Sequence, residues 1–124
     1  MSLLKTINDY LVKEHNPILI DKKSEDDAHI DMWALIHLHE DHFYRGTYIF
    51  YECLLHEFVH LDRLRTTGSA NGREFPSGFY CYYHPVEREI TKEVEQMITQ
   101  NCLAYRFLKE KLESARFILE TTNE

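Results

Sequence analysis

Apolar positions along the chain follow two periods, and the change from one to the other marks its elements. Leu3, Leu4, Ile7, Tyr10 and Leu11 fall at helical spacing, and Asn16-Pro17 stops the short N-terminal helix they predict. Ile18-Leu19-Ile20 is a small strand candidate, and the polar run 21–27 reads as a loop. From Ala28 to Leu38, the residues Ala28, Ile30, Met32, Ala34, Ile36 and Leu38 recur at every second position, which predicts one strand with one buried face. Over 47–66 the period changes. Tyr51, Leu54, Leu55, Phe58, Val59 and Leu61 form a broad stripe on a helix, and Gly68 marks its end. Residues 67–83, rich in Gly, Ser, Asn and aromatics, read as a long loop or a β-excursion. His84-Pro85 sets a proline where a helix begins. From Val86 to Leu119 a helical stripe runs without Gly or Pro, predicting one long helix or two joined near Asn101. The order of elements predicts an α+β domain, a small β-sheet packed beside helices.

Length and composition narrow this picture. A chain of 124 residues, 44% apolar and 28% charged, has the size and balance of a single globular domain spanning 1–124. A net charge of −7 argues against a dedicated nucleic-acid binder, whose surface must be basic to displace counterions. No apolar run approaches the roughly 18 residues that cross a bilayer, and the N-terminus lacks the apolar core of a signal peptide. Three cysteines (Cys53, Cys81, Cys102) without paired spacing point to a reducing, cytoplasmic setting. Eight histidines are many for this length, so their spacing matters.

Two of them lie in His56-Glu57-Phe58-Val59-His60, an H-E-x-x-H motif inside the helix predicted over 47–66. Residues i and i+4 sit one turn apart on one face, so both imidazoles reach a single metal ion. Glu57 projects beside them, where it can take a proton from a metal-bound water. Zn2+ suits two neutral imidazoles and a carboxylate with one position left open, and its water has a pKa near 7. With this composition the pattern arises by chance only about 0.06 times in such a chain. The third ligand is expected from the downstream helix. Glu89 and Glu93 lie one turn apart near Val86, Ile90 and Met97, whereas Glu87 and Glu95 read as solvated; spacing does not separate Glu89 from Glu93.

The stretch Ile36-His37-Leu38, then Phe43, then Tyr51-Glu52-Cys53-Leu54-Leu55-His56-Glu57-Phe58-Val59-His60 resembles the zincin-like metallopeptidase domain of ArdC-type antirestriction proteins. The same layout is shared with ImmA/IrrE-type peptidases. Arg63-Leu64-Arg65 looks like the basic-Leu-basic element that follows the ArdC-type motif. Glu89-Ile90-Thr91-Lys92-Glu93-Val94 looks like that family's second glutamate-bearing segment. The resemblance spans about residues 30–100 and implies a minimal zincin-like fold with Glu93 as third ligand and Glu89 as fallback. A weaker likeness to SprT-like proteases rests on Asn71-Gly72-Arg73-Glu74-Phe75, with Asn71 where that family has a ligating histidine.

Other residues have narrower roles. His84, just before the glutamate helix, is a candidate catalytic group that hydrogen-bonds an oxyanion. Tyr80, Tyr82 and Tyr83 are candidates to line a substrate cleft. His37, His39 and His42 suggest a second metal cluster, since residues two apart on a strand share a face, but the preferred reading places them at the surface. Cys53, one turn before His56, reads as a buried structural cysteine. The expectation is a zinc-dependent metallopeptidase with His56, His60 and Glu93 as ligands, Glu57 as general base, and a protein or peptide as substrate. The alternative is a non-catalytic zincin-fold protein that inhibits a host defence factor by contact.

Overall fold

Ile18, Ile20, Ile36 and Leu38 occupy alternate positions on two adjacent strands, and all four are fully or almost fully buried. Their shared face is what the helices cover. The computed structural model describes residues 2–22, 27–67 and 84–120. The expected loop 67–83, with Tyr80, Tyr82, Tyr83 and the segment Asn71 to Phe75, lies outside the described residues.

The described residues form a small α+β fold with four α-helices and a four-stranded mixed sheet. Strands β1 (Ile18–Asp21), β2 (Ala28–Ile30), β3 (Ile36–His39) and β4 (Phe117–Leu119) are ordered β2-β3-β1-β4. β1 is parallel to both β3 and β4, whereas β2 and β3 are antiparallel. Thus Ile18-Leu19-Ile20 forms the body of an interior strand.

The single strand expected over Ala28–Leu38 is instead a hairpin. The Asp31 carboxylate accepts hydrogen bonds from the backbone N–H of Trp33 (2.9 Å) and Leu35 (3.0 Å), and Ala34 takes a left-handed φ of 61°. Met32 and Trp33 are exposed at its tip. The two-residue period survives the turn because the register pairs Ala28 with Leu38 and Ile30 with Ile36 on one face.

Helix α1 (Ser2–Asn8) continues through a π-helical turn over Asp9–Lys13. It buries Leu3, Ile7, Tyr10 and Leu11. Ser2 and Thr6 hydroxyls donate to the Asp62 carboxylate at 2.9 and 2.8 Å, fastening α1 to helix α2 (Tyr48–Thr67). The entry to α2 is set by Gly46, at a φ of 89° that suits glycine, and by Thr47. The Thr47 hydroxyl caps the first turn by accepting from the Phe50 N–H.

The downstream stripe divides into helices α3 (His84–Thr99) and α4 (Leu103–Leu112). Asn101 breaks them apart at a φ of 49°, while the Cys102 N–H reaches back to the Met97 carbonyl at 3.0 Å. The helical reading fails beyond Leu112. Phe117, Ile118 and Leu119 form β4, because β1 offers a second edge whose backbone groups need partners. Ile18 N–H donates to Arg116 C=O at 2.8 Å and Glu120 N–H to Ile20 C=O at 2.9 Å. Among the described residues no helix is long and apolar enough to cross a membrane.

Candidate metal centre

Helix α2 presents two kinds of residue. Leu54, Leu55, Phe58 and Leu61 have no exposed surface and hold the helix in the core. His56 and His60 come off another side one turn apart, with ring centroids 5.0 Å from each other. His60 is fully buried, Glu57 is buried, and the His56 side chain stays 18% exposed. The helix spacing read from the sequence therefore produces a paired-imidazole site.

The third group is Glu87, from the first turn of α3. Its Oε2 lies 2.6 Å from Nε2 of His56 and 3.0 Å from Nε2 of His60. Ligand atoms of His56, His60 and Glu87 all fall within 4.8 Å of one another, so these side chains could hold one metal ion. Two nitrogens and one carboxylate oxygen suit zinc. Burial would push the His56 imidazole towards neutrality, but its hydrogen bond to the Glu87 carboxylate and the charges of Glu57, Glu87 and Glu52 outweigh it and raise its pKa. A site that collects negative charge around imidazoles in this way has the electrostatics of a cation site.

The carboxylates expected to supply the third ligand lie elsewhere. The structure does not bring Glu89 or Glu93 to the histidines; both meet Arg63, whose Nη2 donates to Glu89 Oε1 at 3.2 Å and Glu93 Oε2 at 3.3 Å. Six residues of α-helix turn Glu93 about 120° away from Glu87. Glu87, expected to be solvated, has a side chain only 14% exposed. Ile90 and Val94 are fully buried on α3, and Glu87 lies three residues before Ile90, on the flank of the same buried side. Of the basic-Leu-basic element, Arg63 thus ties α2 to α3, while Arg65 forms a bidentate pair with Glu14 at 3.2 and 2.7 Å.

His56, Glu57 and Glu87 line an open cleft of about 440 Å³, with Cys53, Thr91 and the start of β2 contributing further walls. The Thr91 hydroxyl donates to the Glu87 carbonyl at 2.9 Å, an intrahelical contact at the cleft wall. Burial pushes the Cys53 thiol up to about 12, which keeps it neutral and fits a structural role. His84 begins α3, but its side chain lies outside the described residues.

The remaining strand histidines separate. The His39 Nδ1 accepts from the Asp41 N–H at 3.0 Å, and His42 pairs with Asp27 at 2.8 Å. His37, expected at the surface, is buried between two carboxylates. Its Nδ1 is 2.9 Å from Asp21 Oδ1 and its Nε2 2.6 Å from Asp31 Oδ2. Burial opposes its charge, but the Asp21 and Asp31 hydrogen bonds prevail and raise its pKa. His29, its cross-strand partner, stacks on it with ring centroids 4.4 Å apart. Alternation on one strand could not reveal this grouping, because its members come from three strands and a turn.

Comparison with models of known protein families, with curated proteins and with solved structures finds no match to this chain.

Proposed function

We propose that the chain is a zinc-dependent metallopeptidase of the zincin type that cleaves a protein or peptide substrate. The observation that carries this reading is the convergence of Glu87 on His56 and His60, with Glu57 beside them in an open cleft. His56, His60 and Glu87 would hold the zinc, which would supply Lewis-acid polarisation of a carbonyl and a water acidic enough to react near neutral pH. Glu57 accepts the proton of the attacking water and returns it to the departing amine. His60, held by the core, fixes the depth of the site, and His56 forms its more open rim. The cleft volume falls in the range that takes a small ligand or a short peptide stretch.

The resemblance of Tyr51–His60 to the ArdC and ImmA/IrrE groups supports the same reading, with Glu87 in the ligand role that the likeness assigned to Glu93. A reducing, cytoplasmic setting agrees with free Cys53 and Cys102.

The test compares wild type, Glu57→Gln and His56→Ala for zinc content and for cleavage of an unstructured peptide mixture read by mass spectrometry. Wild type and Glu57→Gln should carry equal zinc and only wild type should cleave, while His56→Ala loses one zinc equivalent. Equal zinc content in wild type and folded His56→Ala overturns the metal centre. Zinc at the centre with no cleavage by wild type replaces the peptidase with a zincin-fold protein that acts by contact.

A further inference from the structure

The sheet face turned away from α2 carries a second group of metal-ligating side chains. Ile30, Ile36 and Ile20 point to the helices, so their alternating neighbours His29, His37 and Asp21 stand on the opposite face. Ligand atoms of Asp21, His29 and His37 all lie within 4.8 Å of one another. We propose that Asp21, His29 and His37 bind a second divalent ion of the zinc class.

The distances fit one small ion. The Asp21 carboxylate is 2.9 Å from His37 Nδ1 through Oδ1 and 3.8 Å from His29 Nε2 through Oδ2. A tetrahedral ion with bonds of 2.0–2.1 Å separates its ligands by about 3.3 Å, between those two values. Glu120 Oε2 lies 3.9 Å from His37 Nδ1. Asp31 holds the far nitrogen of His37 at 2.6 Å, the carboxylate–imidazole contact that orients a ligating histidine and fixes its tautomer.

The His29 and His37 rings lie within 13° of parallel. Two imidazoles and the Asp21 carboxylate make a mixed nitrogen–oxygen set that favours zinc over magnesium or calcium. This site is independent of the His56 centre and does not require the peptidase reading.

The experiment measures zinc bound after equilibrium dialysis against zinc chloride, with Co2+ absorption as a second readout. In a His56→Ala/Glu87→Ala chain, one equivalent should persist. Adding His29→Ala should remove it, and Asp31→Asn should weaken it by about 10- to 100-fold. A folded double variant, verified by circular dichroism, that holds no zinc overturns the proposal, as does binding unchanged by His29→Ala. Should the double variant unfold, the wild-type chain decides: a fall from two zinc equivalents to one on His29→Ala supports the site, and no fall overturns it.

Discussion

Oε2 of Glu87 lies 2.6 Å from Nε2 of His56, joining the first turn of α3 to the middle of α2. The contact brings to the histidines a carboxylate six positions before the one that motif likeness favours. Glu87→Ala should therefore weaken zinc binding at this centre by more than about 100-fold, exceeding the loss typical of an outer-shell partner. Glu89→Ala and Glu93→Ala should leave the affinity within about threefold. Titration of the variants with a chromophoric zinc chelator reads the difference, and a larger loss for Glu93→Ala would return the ligand role to that residue.

Arg63 reaches both Glu89 and Glu93, but the two carboxylates are 66% and 46% exposed. Solvent screens such pairs, so Arg63→Ala should cost less than about 1 kcal/mol of unfolding free energy. Urea denaturation measures it. A cost several times larger would mean that the bridge fixes how α3 sits on α2.

Legibility followed the range over which each signal acts. The α2 motif is local: its imidazoles meet because helix geometry brings residues four apart together, and the surrounding leucines predict the buried side. Glu87 is harder to read, since Val86, Ile90, Val94 and Met97 mark the core side of α3 but do not say which flanking carboxylate faces the histidines. The hairpin at Asp31 was hidden because an antiparallel turn preserves the two-residue period across it. β4 was hidden because Phe117 to Leu119 become a strand only when β1 lies alongside, which no local pattern records. The second histidine group needs the same long-range pairing.

Tyr10 links three elements. Its hydroxyl donates to the Pro17 carbonyl at 2.6 Å and accepts from the Ile36 N–H at 2.8 Å, and its ring meets Phe58 edge-on at 5.4 Å. Tyr10→Phe keeps the ring but strands a buried backbone donor, so it should destabilise the fold by about 1–3 kcal/mol. Equilibrium unfolding against wild type measures this. A neutral result would show that Ile36 finds another acceptor.

Cys53 is buried and its thiol is pushed up to about 12. At pH 8 the thiolate fraction is then roughly a thousandfold below that of an ordinary cysteine near 8.5. Iodoacetamide should modify Cys53 at least about 100-fold more slowly in the native chain than in denaturant, followed by peptide mass spectrometry. Fast native modification would place Cys53 at an open, charged position in the cleft.

Strand β3 alternates Ile36 and Leu38 towards the helices with His37 and His39 away from them. A slip of one residue against β1 would drive two imidazoles into the hydrocarbon core and put two aliphatic side chains in their place outside. Asp21 and Asp31 would lose His37 in the same movement. The histidines thus serve as a ruler for strand alignment: a chain only four residues long at this point has a single admissible pairing, with or without an ion bound.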